Sequence, residues 1–214
     1  MYFRQFFDPA TSAMSYLLAD PAARAAAILD PLGDPCQALV FRALLAEHAL
    51  DLHLILLTHV HGNALEDIRS TYPDVRTVAG VGPVTGVSVA REGDRLHLGR
   101  EEIRIIATPG HTFHSVSYLW RDRLFCGDAL ELGGCAASVE GEGDAGQLFD
   151  SVTGRLFALA DETLVFPGHD FNGRTVSTIG EERRRNPFFQ SLNRDAFTAA
   201  LRTRDAADRQ FRWP

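Results

Sequence analysis

Short apolar runs that end at turn residues or at histidines dominate the hydrophobic pattern of this chain. The runs "SYLLA", "AAAILD", "LHLILLT" and "LVFP" are too short for most helices and predict buried strands. Two alternating stretches, "DRLHLGREEIRIIA" and "VSYLWRDRLFCGD", predict hairpins, the second of which turns at Arg121 and Asp122. The predicted strands therefore fall into separate clusters along the chain.

Segments whose apolar residues have helical spacing lie between these strand clusters. In "PCQALVFRALLAEHA" the apolar residues recur at Ala38, Phe41, Leu44 and Leu45, and Pro35 lies near the start. The stretches "NALEDIRSTYP" and "AGQLFDSVTGRLFALA" also predict helices, and the tail from Ser177 predicts helical pieces. Clustered strands with helices between them predict a layered α/β or α+β sandwich.

Composition and charge narrow the class of protein. A length of 214 residues fits a single domain, 1–214, and a net charge of -7 argues against nucleic acid as a partner. No apolar run approaches 18 residues, so we expect no membrane span. The three cysteines form no CxxC pair and the N-terminus lacks the layout of a signal peptide, so a reducing, cytoplasmic location is expected.

Four apolar strands run directly into a histidine or an aspartate. They are "LILLTHVH", "IIATPGH", "LFCGD" and "LVFPGH", and they carry the residues His59, His61, His111, Asp128 and His169. Strand ends are rigid, and the loops beyond them carry side chains toward a shared rim. Imidazole and carboxylate groups are ligands of first-row metals. The pattern predicts a metal site at one edge of the sheet.

Two further residues are candidates for the surroundings of this site. His114 lies three residues after His111 and could line the same cavity, although a surface or supporting role is favoured over a ligand role. The charge run "EERRRNP" is typical of a solvated helix end, but Arg185 within it could face an anionic substrate.

The motifs "HVHGNA", "TPGHT", "GDAL" and "FPGHD", in this order, resemble the ligand motifs of the metallo-β-lactamase superfamily. The segments "FRQFFDPATSAMSYLLAD", "ILDP" and "GHDFNGRTVSTIGEERRRNP" are closest to the persulfide dioxygenases, a branch related to glyoxalase II. The resemblance spans almost the whole chain. It implies a four-layer αββα sandwich with the metal site at one edge of the sheets.

The resemblance also implies which residues hold the metal. His59, His111 and Asp128 match the ligands of the single iron in persulfide dioxygenases, a two-histidine-one-carboxylate triad, and are the expected catalytic residues. His61 would be a fourth ligand or a neighbour of the metal. Asn63 and Ala64 stand where a second metal would need Asp and His, so we expect one metal per chain. His169, Asn63 and His114 would then support the site by hydrogen bonds.

Two departures from the branch concern the substrate. Ala137 stands where the branch carries an Arg, and Phe171 stands where it carries a Tyr, and both of those residues help to hold glutathione. Loss of a guanidinium removes a bidentate carboxylate contact. We therefore expect glutathione persulfide to be a poor substrate.

The leading hypothesis is a mononuclear dioxygenase that holds one Fe(II) and acts on a persulfide or related sulfur substrate with O2. A mononuclear zinc thioester hydrolase of the glyoxalase II type would use the same residues and is the first alternative. A non-catalytic member that binds a sulfur ligand or a partner protein is the second. A homodimer is one possible oligomeric state.

Overall fold

The fold is described by a computed structural model, which covers residues 1–62, 64–82, 84–136, 141–190 and 193–201. Two six-stranded sheets form its centre. Asn63 and Ala137, for which the sequence predicts a role, lie outside the described residues.

The first sheet is built from the N-terminal part of the chain, and its strands are neighbours in chain order. The first three strands pair antiparallel, and the third to sixth pair parallel. The strands are β1 Tyr2–Phe7, β2 Met14–Asp20, β3 Ala25–Leu29, β4 Asp51–Leu57, β5 Arg76–Ala79 and β6 Val87–Val89.

The second sheet follows in the same simple order. All its pairs are antiparallel except the tenth and eleventh strands, which are parallel. The strands are β7 Arg95–Leu98, β8 Glu101–Ala107, β9 Val116–Trp120, β10 Arg123–Gly127, β11 Leu164–Pro167 and β12 Ser177–Thr178. Because β8, β10 and β11 run in one direction, their carboxyl ends meet at the same edge.

Helices cover the outer faces of both sheets. The helices of the first sheet are α1 Pro35–Glu47 and α2 Ala64–Thr71. Those of the second are α3 Ala145–Ser151, which continues as a π-helical turn Val152–Leu156, α4 Ile179–Arg185 and α5 Pro187–Gln190. A further helical stretch occupies 194–201. The Asp34 carboxylate caps α1 by accepting a hydrogen bond from the Gln37 amide at 2.8 Å.

Three apolar cores hold the four layers together. Side chains such as Tyr16, Leu56 and Phe125 fill the space between the two sheets. Alternate residues of β2, β3 and β4 point the other way and pack under α1 and α2, and those of β10 and β11 pack under α3 to α5. The predicted αββα sandwich is confirmed.

Some elements do not follow from their own pattern. The strands β1, β5 and β6 are not predicted from their own residues, and their pairing with neighbouring strands defines them. The predicted helix "AGQLFDSVTGRLFALA" changes to π-helical geometry after Ser151, and the tail at Ser177 begins with a two-residue strand. In that turn the Phe157 amide donates to the Val152 carbonyl five residues earlier.

Hydrogen bonds tie the two sheets together at one edge. The Val116 amide donates to the Thr58 carbonyl at 2.8 Å, and the Met14 amide donates to the Gly168 carbonyl at 2.8 Å. The Tyr118 hydroxyl also donates to the Leu57 carbonyl at 3.0 Å. These bonds fix the end of β4 to β9 and the end of β11 to β2. In the part of the chain that the structure describes, each helix is too short or too polar to span a membrane.

Candidate metal centre

The edge where the sheets are joined also gathers the residues that follow the strands. His59 and His61 follow β4 of the first sheet. His111, Asp128 and His169 follow β8, β10 and β11 of the second. Gly168 has to be glycine here, because a Cβ atom at that position would overlap the Asp128 carboxylate. Both sheets therefore contribute to a single cluster of side chains.

The three histidines of the cluster point their nitrogens at one another. One ring nitrogen each of His59, His61 and His111 lies within 4.8 Å of the others, and Nε2 of His61 is 2.9 Å from Nε2 of His111. Asp128 Oδ2 lies 3.6 Å from Nε2 of both His59 and His111. Ligand atoms at about 2.0–2.2 Å from one ion are separated by roughly 3 Å. The donor set therefore fits a single metal ion.

The charge state of these groups also suits a metal. Burial lowers the pKa of His59 to about 4 and also lowers the pKa of His61, so both imidazoles are neutral near pH 7. Burial by itself would raise the pKa of Asp128. The hydrogen bond with His169 and the nearby imidazoles outweigh that effect and hold the pKa well below its usual range. Neutral imidazole and ionised carboxylate are the ligand forms that metals bind.

His169 contacts the carboxylate rather than the histidines. Its Nδ1 atom lies 2.8 Å from Asp128 Oδ1, and this hydrogen bond raises the pKa of His169. The ring of Phe171 stacks on the His169 imidazole, with centroids 5.5 Å apart and an angle of 2° between the planes. His169 is thereby placed to orient Asp128.

A buried pair behind His59 was not predicted from the sequence. The Asp30 carboxylate accepts hydrogen bonds from the Thr58 amide at 2.7 Å and the Thr58 hydroxyl at 2.8 Å. Thr58 Oγ1 lies 2.9 Å from His59 Nδ1. With the hydroxyl proton directed to Asp30, Oγ1 accepts from Nδ1–H, so that the Nε2 lone pair of His59 faces the cluster. The motif "ILDP" contains Asp30, but only the fold brings it to Thr58.

On the side of the cluster where a second metal would bind, Ala64 provides no ligand atom. Ala64 begins α2 and offers a methyl group, while Asn63 lies outside the described residues. Ala64 lines a cavity of about 180 Å³, together with the imidazoles of His59, His61 and His169 and apolar side chains. The expectation of one metal per chain stays a prediction.

The other candidate residues lie further out. His114 is exposed and lines a second cavity of about 550 Å³ beside His61. Phe171 is 63% exposed and borders a small pocket with His169. Arg185 is exposed at the end of α4, and among the described residues no hydrogen bond or ion pair joins it to the cluster. The substrate-binding roles of Phe171, Ala137 and Arg185 stay predictions.

Comparison with known proteins identifies enzymes as relatives. The persulfide dioxygenase ETHE1 of Homo sapiens is 34% identical over 194 residues, which cover 86% of this chain and 74% of that protein. A hydroxyacylglutathione hydrolase of Photobacterium profundum is 32% identical over 167 residues, which cover 76% of this chain and 65% of the hydrolase. A comparison with family models gives no match.

Solved structures of similar proteins superpose on this chain. The crystal structure of ETHE1 from Myxococcus xanthus superposes with a TM-score of 0.88 at 39% identity and covers 96% of this chain and 92% of that one. TTHA1623 in a di-iron-bound form superposes with a TM-score of 0.66 at 25% identity and covers 88% of this chain and all of that one. The chain therefore belongs to the metallo-β-lactamase superfamily, among relatives that are persulfide dioxygenases and glyoxalase II-like hydrolases.

Proposed function

We propose that this protein is a mononuclear Fe(II) dioxygenase that oxidises a small persulfide. The observation that carries the proposal is the cluster of His59, His111 and Asp128, in which burial keeps His59 neutral and Asp128 is ionised, in a chain 34% identical to a persulfide dioxygenase. Two histidines and one carboxylate are typical ligands of non-haem iron oxygenases. Bound Fe(II) would supply open coordination positions and electrons for the reaction of O2 with sulfur.

The overall reaction converts the persulfide RSSH, O2 and water into the thiol RSH, sulfite and two protons. The terminal sulfur atom gains three oxygen atoms, and the S–S bond breaks. The sulfur is oxidised, O2 is reduced, and the retained sulfur leaves as the thiol. This chain's own residues would hold the metal, orient Asp128 through His169, and keep Nε2 of His59 unprotonated through Thr58.

Glutathione persulfide is expected to be a poor substrate. Phe171 has no hydroxyl to offer a ligand, and Ala137 has no guanidinium. Loss of one charge-assisted contact weakens binding on the order of 10- to 100-fold. Saturation with low micromolar glutathione persulfide would contradict this expectation.

A zinc hydrolase acting on thioesters is the second candidate. The position of His61 favours it, because Nε2 of His61 is as close as 2.9 Å to Nε2 of His111, and a three-histidine-one-aspartate site is more zinc-like. The hydrolase relative at 32% identity supports it as well. The cytoplasmic location and the homodimer stay predictions.

Oxygen consumption separates the two candidates. We expect the protein, purified without added metal and analysed for its elements, to contain iron and to consume one O2 for each sulfite formed from a persulfide. Replacement of His111 by Ala should abolish metal binding and activity, whereas His97→Ala, an exposed histidine on β7, should leave both unchanged. Thioester cleavage without oxygen, with no oxygen uptake on any persulfide, would overturn the dioxygenase proposal.

A further inference from the structure

The cavity of about 550 Å³ beside the metal centre carries charged groups that the candidate metal centre does not use. It adjoins the histidine cluster, because Val60 and Gly62 flank His61 and line it, and Thr112 follows His111. The Glu142 carboxylate on its wall lies 3.9 Å from Nδ1 of His61. Its volume is in the range of small-molecule sites. A ligand whose sulfur reaches the metal would extend into this space.

One cation and two anions line this cavity. Glu66 and Arg69 are three residues apart on α2, and Glu142 comes from the loop before α3. Arg69 is half-buried, and Gly86 leaves room for it, since a Cβ atom there would lie 2.5 Å from Nη2 of Arg69. Within the described part of the chain, no oppositely charged side chain lies within 4.0 Å of the charged group of Arg69 or of Glu66. A half-buried guanidinium in a ligand-sized cavity is suited to a carboxylate.

The rest of the wall is apolar. It is formed by side chains that include Leu65, Val81, Val84 and Phe113. The cavity therefore combines a carboxylate-binding group, two ammonium-binding groups and an apolar surface for a short carbon chain. With two carboxylates and one guanidinium, the charged groups sum to -1, which favours a ligand with one ammonium and one carboxylate over a ligand with additional negative charge.

We propose that this cavity binds the α-amino acid end of a small persulfide, such as that of cysteine, with Arg69 on the carboxylate and Glu66 and Glu142 on the ammonium. The inference rests on the proposed function for the reaction, and it names the substrate class. The persulfide sulfur points toward His61 and His111, and the charged end lies against α2. Glutathione persulfide carries a second carboxylate and is disfavoured in this cavity.

Binding can be measured without turnover by calorimetric titration with S-methyl-L-cysteine, which keeps both charged groups and has an inert thioether. Two truncated probes isolate the contacts: 2-(methylthio)ethylamine lacks the carboxylate, and 3-(methylthio)propionate lacks the ammonium. We expect each truncation to weaken binding on the order of 10- to 100-fold.

Variants assign these losses to residues. Arg69→Leu should weaken the binding of S-methyl-L-cysteine by the same factor and leave the binding of 2-(methylthio)ethylamine unchanged. Arg69→Lys should have an intermediate effect. Glu66→Gln should weaken the binding of S-methyl-L-cysteine but not the binding of 3-(methylthio)propionate. Arg42→Leu removes the same charge from an exposed position on α1 and should change none of these values.

The results distinguish this inference from the proposed function. Equal binding of S-methyl-L-cysteine and 2-(methylthio)ethylamine, no binding of either, or no effect of Arg69→Leu overturns the cavity assignment, even where a persulfide is oxidised. Binding that depends on Arg69 and Glu66 supports the assignment, and if oxygen uptake on every persulfide is then absent, only the dioxygenase reaction fails.

Discussion

His169 Nδ1 lies 2.8 Å from Asp128 Oδ1, so the histidine that would serve a second metal is hydrogen-bonded to a candidate ligand of the first. Replacement of His169 by Ala should leave one metal per chain and weaken its affinity about 10- to 100-fold, because Asp128 loses the partner that orients it. Competition with a chelator measures this. His97→Ala is the control, and complete loss of metal in His169→Ala would make His169 a ligand itself.

Metal stoichiometry should be one per chain, because Ala64 supplies no ligand atom. The double variant Asn63→Asp, Ala64→His restores the missing ligands and should raise the stoichiometry to two, with His169 turning toward the second ion. Elemental analysis after equilibrium dialysis gives both values. Two tightly bound equivalents in the unchanged protein would contradict the prediction.

Asp30→Asn should weaken metal binding although Asp30 does not touch the metal ligands. An Asn side chain presents an NH2 group where Asp30 accepts, so the Thr58 hydroxyl can turn its proton toward Nδ1 of His59. That change favours the tautomer whose Nε2 is protonated and cannot bind metal. We expect a loss of about 10- to 100-fold in affinity.

Two controls accompany the Asp30 variant. Thr58→Ser keeps the hydroxyl and should bind metal almost as the unchanged protein does, whereas Thr58→Val should resemble Asp30→Asn. Asp34→Asn replaces the N-cap residue of α1 with an equally favoured one and should have no effect on metal binding. Equal metal affinities of Asp30→Asn and the unchanged protein would show that Asp30 does not set the tautomer of His59.

His61→Ala separates an iron site from a zinc site. In the dioxygenase, His59, His111 and Asp128 suffice, so the variant should keep bound iron and much of its oxygen uptake. In the hydrolase, His61 completes the zinc site, so zinc and thioester cleavage should be lost together. The measurement is metal content and both activities on one preparation.

The interaction between Asp20 and Arg100 makes the stability of the fold depend on pH in the acidic range. Its carboxylate accepts hydrogen bonds from the Arg100 side chain at 3.2 Å and the Arg100 amide at 2.9 Å, which holds the pKa of Asp20 well below its usual range. Because the folded pKa is depressed, the stabilisation is present above pH about 4 and is lost as the pH falls below it.

Denaturant unfolding across pH tests this dependence. We expect Asp20→Asn to be less stable than the unchanged protein at pH 7, and the difference to narrow as the pH falls below about 4. Asp51→Asn, at an exposed ion pair with Arg24, should have little effect at either pH. A difference that is constant with pH would show that the carboxylate charge is not involved.

The sequence by itself determined the apolar strands and the residues that follow them. Apolar runs such as "LILLT" and "LVF" are buried whichever strand they pair with, so their own composition predicts them. The residue after such a strand must lie at the sheet edge, which is why His59, Asp128 and His169 were found without a structure. The family motifs added the fold and the chemistry.

Only the tertiary structure decided which groups touch. Asp30 and Thr58 are 28 residues apart, and Glu66 and Glu142 come from different layers, so neither neighbourhood is encoded in local periodicity. The short strands β5 and β6 exist because β4 and its neighbours offer them free backbone groups. Hydrogen bonds between the sheets fix the edge, and the distances among the site residues depend on that packing rather than on any one segment.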